Sequence, residues 1–421
     1  MMQTSLEAIS NKAKRMPRYR FQNLYGMINE KSLALSWKRL NPKAAVGVDQ
    51  ITHAQFGEGL ENNVKRIVEN LKRKRYRAKL VRRKNIPKPN GKLRPLGIPA
   101  MEDKVLQYAV KQILEAIYES DFLPSSFGYR PKRGALDAMK ELCRTLQNGR
   151  YFHVVEADIK GYFDNIDHDW LLRMLGQRID DKSFLWLIKK WLKAGILEED
   201  GRVIHPVTGS PQGGIISPVL ANIYMHYVLN LWFEKVVKRH CKGKAYICVY
   251  ADDFVCAFEN RTDAERFYKV LWKRFRKFGL ELSEEKTNII NFNPWNKENG
   301  AIEFLGFELK WDRKLRKYLR LKTCKKKFQN SVRQFKEWIK RYRSVKLRKL
   351  MYHLNAKLRG YYNYYGLKRN YASIDKFHFY AMKLLYKWLN RRSQKYSYRG
   401  KGFKQMLFYY RIEKPRIVTV W

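Results

Sequence analysis

Residues 245–258 read AYICVYADDFVCAF: two apolar runs, rich in aromatic and β-branched residues, separated by Ala251-Asp252-Asp253. Runs of this kind predict strands, and the short polar interruption predicts a hairpin with two acids at its tip. A hairpin that only had to reverse the chain would more often use Asn-Gly or Asp-Gly. Adjacent carboxylates repel unless a cation or a proton relieves them, so a metal site explains the pair better than turn chemistry does.

A second stretch adds a third acid. Residues 152–164, FHVVEADIKGYFD, predict a strand that delivers Asp158 at its end. Alone, Asp158 would be read as a turn residue. Together, one strand end with a single Asp and another with a pair fit two Mg²⁺ ions about 3.5–4 Å apart, as phosphoryl-transferring polymerases use. An oxygen-only donor set suits hard Mg²⁺ and requires no His or Cys.

The 421 residues include 87 Lys+Arg and 39 Asp+Glu, a net charge of +48. Such a surplus repels itself, and a phosphate backbone that releases its counterions is the simplest partner to relieve it. With 45% hydrophobic and 14% aromatic residues the chain has material for packed cores and is not a disordered basic tail. No stretch approaches the roughly 18–20 apolar residues of a membrane span. The start, MMQTSLEAISNKAKRMPRYR, has charge where a secretory signal places its apolar segment, so the expectation is a cytoplasmic protein with no membrane partner. Five cysteines form no CxxC pair, which argues against a zinc ribbon or a disulfide framework.

Residues 321–421 hold 28 Lys+Arg against three acids, a surplus of 25. Phe328, Val332, Phe335, Trp338 and Ile339 recur at helical spacing there, predicting a basic helical unit whose interleaved aromatics point to nucleic acid. The N-terminal residues also read mainly helical. Residues 81–99, VRRKNIPKPNGKLRPLGIP, read as two strands joined at Pro89-Asn90-Gly91.

In this order the motifs resemble the reverse transcriptases encoded by bacterial group II introns. Tyr250-Ala251-Asp252-Asp253 is similar to the family's YADD box, and Asp158 to Asp164 to its first palm motif. The resemblance implies an α+β right-hand polymerase, with an N-terminal helical extension (1–78), fingers and a palm whose antiparallel sheet carries the YADD hairpin (79–312), and a basic helical thumb/maturase domain (313–421). It makes Asp158, Asp252 and Asp253 the catalytic carboxylates. With the Ile159 carbonyl they would hold two Mg²⁺, Mn²⁺ being a substitute.

Further roles come from the same resemblance. Ser210-Pro211-Gln212-Gly213-Gly214 would lie under the incoming nucleotide, with Gln212 as the contact. Lys88 and Arg94 of the fingers hairpin would hold the triphosphate, and Arg130 of Ser126-Phe127-Gly128-Tyr129-Arg130-Pro131 would orient template or nucleotide. Tyr162 would be the ring that excludes a ribose 2′-hydroxyl. Lys286 would assist the departing pyrophosphate, and Phe304-Leu305-Gly306-Phe307 would grip the primer end. Val46-Gly47-Val48-Asp49 resembles a signature of the N-terminal extension. Leu358 to Tyr365, LRGYYNYY, resembles the thumb/maturase domain, where Arg359, Tyr361 and Tyr364 would meet RNA. Lys104 stands where the family commonly has Arg, a change expected to soften a template contact. No Cys- or His-paired endonuclease segment is present, so cutting DNA unaided is not expected, and the first 35 or so residues match nothing.

The implied function is RNA-directed DNA polymerisation on an RNA template, from a DNA or RNA primer and dNTPs, with structured group II intron RNA as a further partner in splicing and retrohoming. Two readings stay open beside it: a free-standing relative recruited to repair, defence or CRISPR, and a non-catalytic RNA-splicing chaperone.

Overall fold

The computed structural model describes residues 2–87, 91, 93–296, 298–312, 314–315, 318–392 and 397–419. The predicted hairpin forms as strands Ala245–Tyr250 and Asp253–Phe258. They belong to a four-stranded antiparallel sheet in the order Asn288–Asn291, His153–Ala157, Asp253–Phe258, Ala245–Tyr250. Tyr250 pairs with Asp253 and Ala157 with Phe254. Asp158, one residue beyond Ala157, therefore arrives beside Asp253 at the same end of the neighbouring strand.

The apolar runs are nearly continuous because both faces of this sheet are covered. Val155, Phe254, Cys256 and Phe258 enter one core with helix Arg261–Lys277. Val154, Cys248, Val255 and Ala257 enter a second core with helix Ala135–Asn148. Successive residues thus alternate between two cores, as the pleat requires. The fingers strands Val81–Pro87 and Leu93–Ile98 pair antiparallel, with Ile86 opposite Arg94.

The N-terminal residues do not form a separate unit. Leu33 of helix Glu30–Arg39 and Ile67 of helix Leu60–Lys72 share the palm's first core with Val105 of helix Met101–Tyr118. Helix Met2–Arg15, from the stretch that matched nothing, is tied down at its C-terminal end by buried Arg178. The Arg178 guanidinium donates to the carbonyls of Ala13, Met16, Pro17 and Tyr19 and pairs with Asp121 at 2.9 Å. Ala13 O is one of the helix-end acceptors, and the other three carbonyls belong to the irregular chain that leaves the helix.

The Val46 to Asp49 motif has a physical role in this docking. A Cβ at Gly47 would lie 2.5 Å from Ala100 Cα and Pro99 O, so only glycine admits the approach. Ala100, at the N-cap of helix Met101–Tyr118, cannot cap it, and Asp49 does so from outside: its Oδ2 accepts the Met101 N–H at 3.2 Å. Lys104 is buried, not at a template surface, and donates to Ala45 O at 2.5 Å. The template contact expected at that position is therefore replaced by a tie to the N-terminal segment.

Helices Lys325–Tyr342, Leu347–Tyr365, Tyr371–Leu389 and Gly400–Tyr409 build their own core around Leu354, Leu358, Phe377 and Leu385. A three-stranded sheet, Ile302–Phe304, Phe307–Trp311 and Leu319–Thr323, joins it to the palm. The expected boundary at 312/313 falls inside the hairpin of the last two strands, and the helical unit begins at Lys325. The pairing of Trp311 with Leu319 ties residues on both sides of that boundary into one sheet. All five cysteines are free, and among the described residues no helix is long and apolar enough to cross a membrane.

Asp49→Ala is expected to lower stability by about 1 kcal/mol, the usual cost of losing an N-cap acceptor. A lower urea midpoint with unchanged far-UV circular dichroism is the expected readout.

Candidate active site

At the hairpin tip Ala251 has φ +57°, the left-handed region in which a residue with a Cβ is strained. The turn is braced from outside. The Phe127 N–H donates to Val249 O and the Val249 N–H to Ser125 O, each at 2.9 Å, so residues 125–127 run alongside the edge strand. Gly128 then abuts the turn, where a Cβ would fall 2.3 Å from the Ala251 nitrogen. The segment expected to reach the template is a strut beneath the acids.

Arg130 completes that strut. Its side chain is buried and pairs with Glu119 at 2.6 Å, while Nη1 donates to Leu123 O and Ser126 O, each at 2.8 Å. Its donors are spent within the protein, which corrects the expectation of a template or nucleotide contact.

A second brace joins the Pro211 to Gly214 loop to the fingers. The Gly97 N–H donates to Gln212 O at 2.6 Å. A Cβ on Gly97 would lie 2.8 Å from Pro211 Cβ, and one on Gly213, at φ +106°, 2.8 Å from Gly97 O. Both glycines are required for this contact, which sets half-buried Gln212 at the base of the hairpin carrying Arg94. Lys88 lies outside the described residues.

Tyr162 and Phe163 separate in role. Tyr162 is buried, and its hydroxyl donates to Ala221 O at 2.6 Å. It is a core ring, contrary to the expectation of a sugar-excluding one. Phe163 packs edge-on against half-exposed Tyr129, with centroids 6.1 Å apart, and Tyr129 lies within electrostatic reach of Asp252, Asp253 and Arg94. Of the two adjacent rings it is Phe163 that packs on the half-exposed Tyr129 near the acids, while Tyr162 turns into the core. Sequence spacing could not choose between two adjacent aromatics.

The three acids form a strained electrostatic group. Partial removal from water, then Asp252 and Asp158, push the Asp253 carboxyl up to about 6. Desolvation, with Asp158 adding to it, also raises Asp252, while Arg94 and Lys286 pull it back. Lys286 Nζ stands 2.9 Å from Asp158 Oδ2, and that bond raises the lysine further above its ordinary value. Ile159, next to Asp158, is buried and pairs with Leu282 in a short ladder. Among the described residues no three His, Cys, Asp or Glu side chains close a metal cage by themselves. The donor set still fits a hard cation that fills its shell with substrate oxygens and water.

Asp158, Asp253 and Lys286 line a cleft of about 780 Å³, with Leu305, Gly306, Lys326, Lys327 and Tyr364 on its far wall. Leu305 (φ +50°) and Gly306 (φ +82°) make the two-residue turn between paired Phe304 and Phe307. Positive φ at both positions is what a tight twisted hairpin turn demands. The Tyr364 hydroxyl donates to Leu305 O at 2.9 Å, so a tyrosine of the helical unit braces this loop at the cleft.

The other two expected RNA contacts behave differently. Tyr361 stacks on Phe377 with centroids 3.7 Å apart and belongs to the helical seam. Arg359, about half exposed, is paired with Glu413 at 2.9 Å. Lys326 and Lys327 also stand on the cleft wall, and no motif in the sequence singles them out from the other lysines of this basic segment.

A family model for reverse transcriptases (RNA-dependent DNA polymerases) matches residues 86–309, more than half the chain and the segment that carries all three acids. The chain belongs to the reverse transcriptase family. Among curated proteins this reverse transcriptase is similar to the group II intron-encoded protein LtrA of Lactococcus lactis subsp. cremoris, at 32% identity over 402 residues, covering 75% of this chain and 65% of LtrA. It is also similar to protein YkfC of Escherichia coli K12, at 35% identity, covering 54% of this chain and 61% of YkfC. It thus spans just under two thirds of the length of either relative. A solved structure of telomerase from Candida albicans, in complex with a fragment of telomeric RNA, aligns at a TM-score of 0.48 and 14% identity, covering 85% of this chain and 67% of that one. That likeness is too loose to carry a conclusion.

Arg130→Ala is expected to destabilise this reverse transcriptase by roughly 3 kcal/mol, because it strands Glu119 and two carbonyls at the strut. The check is a thermal melt beside a template titration: a lower midpoint, with template affinity of the folded protein unchanged.

Proposed function

We propose that this chain extends a primer 3′ end along an RNA template with dNTPs, and that its basic helical unit holds structured group II intron RNA as a maturase. The observation that carries the first part is the arrival of Asp158, Asp252 and Asp253 at one end of adjacent strands beside a cleft. The names of the intron-encoded relatives and the surplus of 25 positive charges in residues 321–421 support the second.

Reverse transcriptases use divalent metal ions. Here Asp158, Asp252, Asp253 and the Ile159 carbonyl would hold two Mg²⁺, or Mn²⁺ in their place, which would supply a more acidic primer hydroxyl and neutralise phosphate charge. The protein's own groups do the rest. Arg94 meets the triphosphate, while Gln212 sits beneath the nucleotide. Phe163 bars a 2′-hydroxyl by contact. Lys286, kept protonated by Asp158, offers a hydrogen bond to the leaving pyrophosphate. Tyr364 and the Leu305-Gly306 turn position the primer end.

Asp252→Asn is expected to abolish Mg²⁺-dependent extension of a DNA primer on an RNA template and to leave RNA affinity within about twofold. Retained extension would remove Asp252 from the metal set. A pH dependence follows from Asp253. Above about 6 its carboxylate is free to bind a cation, whereas below that a proton competes. The Mg²⁺ concentration for half-maximal extension should therefore rise as pH falls from 8 to 5.5, with the rate restored by excess Mg²⁺. Metal titrations at each pH check it.

A further inference from the structure

On the strand Leu319–Thr323, residues 319, 321 and 323 are buried while Arg320 and Lys322 point outward. The partner strand places Lys310 opposite Arg320 and Glu308 opposite Lys322, so these four side chains share one face of the sheet. Beside that face lies a recess of about 570 Å³, whose far side is formed by Lys325, Arg369 and Lys376. A second hollow of about 290 Å³ continues it past Lys310 and shares Glu308, Arg320 and Lys322. Sharing these residues, the two make one trough across that face of the three-stranded sheet.

Among the described residues seven basic side chains line this trough against two acids, Glu308 and Asp312, so its charge is only partly balanced within the protein. Asp312 is buried and already taken by Arg320 and by the backbone N–H groups of Lys314 and Leu315. Among the described residues Lys310, Lys322, Lys325 and Lys376 form no ion pair, although lysines elsewhere on the surface, such as Lys65, Lys160 and Lys238, are paired. A concave cluster of unpaired lysines raises the local potential, and a phosphate chain is the ligand that lowers it. The trough also offers a ring. The Arg369 guanidinium lies 4.5 Å over Tyr318, held there by Gln147 at 2.7 Å and by Leu319 O at 3.0 Å. Tyr318 keeps 39% of its surface exposed.

The trough is distinct from the catalytic cleft. Lys326 and Lys327 face the cleft, but Lys325 and Phe328 of the same helix face the trough. Glu303 lines the cleft and Glu308 the trough, opposite one another on adjacent strands. A phosphate backbone in the cleft meets that acidic pair before it reaches the trough. The recess has the volume of a site for one or two nucleotides, not for a duplex. Unpaired bases stack on aromatic and guanidinium planes while cations meet their phosphates.

We infer that this trough binds an unpaired RNA segment outside the primer–template cleft, a second contact that rests on the reading of the chain as an RNA-binding reverse transcriptase. The test is the full-length protein carrying Lys322→Glu and Lys376→Glu. Its control is Lys269→Glu with Lys273→Glu, two exposed lysines on helix Arg261–Lys277 that change net charge equally. The probes are a mixed-sequence single-stranded RNA 20-mer and a blunt DNA–RNA duplex, titrated at several salt concentrations. Loss of two phosphate contacts should weaken 20-mer binding about tenfold and lower its log–log salt slope by about 1.4, from roughly 0.7 per contact. The control should shift both far less, and duplex binding should hold. Primer extension on a short template should remain at the wild-type level in the trough variant, which separates failure of this site from failure of the polymerase reading. An unchanged slope, equal losses for 20-mer and duplex, or an equal effect of the control pair would overturn the assignment.

Discussion

Three carboxylates pressed toward one point repel each other, and that repulsion is the constraint on which the rest of this structure depends. A loop would answer it by moving the acids apart. Here Asp253 is locked opposite Tyr250 and Asp158 follows Ala157, itself locked opposite Phe254, so spreading them would break ladder pairs in a sheet buried on both faces. The energy of two cores is thereby set against the repulsion, and the acids stay poised for a cation with Lys286 alongside.

The bracing around them is made largely of glycine. Gly128 lets the Ser125–Phe127 segment press on Ala251, Gly97 and Gly213 let the Gln212 loop press on the fingers, and Gly47 lets the N-terminal segment reach Ala100. Each is a place where two backbones approach more closely than any Cβ permits. Arg130 and Arg178 act in the same service from the other side, as buried cations that gather carbonyls of irregular chain. Such arginines look like nucleic-acid contacts in a sequence with a net charge of +48. Burial reverses that reading.

The helical unit shows the same sorting. Its tyrosine-dense motif turns Tyr361 and Tyr362 into the seam and leaves Tyr364 to brace the loop by the acids. The lysines around the trough carry no such motif, and their significance comes from concavity and from lack of partners.

By itself the sequence determined the hairpin, the strand ahead of Asp158, the basic helical C-terminal region and the meeting of three acids. The elements follow from local periodicity and the acidic pair from the cost of adjacent charges, which are properties of neighbours in the chain, whereas joining Asp158 to that pair follows from the donor set two metal ions need and from the order of the motifs. Only the tertiary structure decided that Tyr162 turns into the core while Phe163 packs on Tyr129, that Arg130 and Lys104 are internal ties, that strand Leu319–Thr323 lies ahead of the helical unit, and that residues 2–15 dock on the palm. Those outcomes depend on which face of a side chain meets another element far away in sequence. A residue type at a given spacing carries the same text whether its donors are spent inside the protein or left for a ligand, and only packing distinguishes the two.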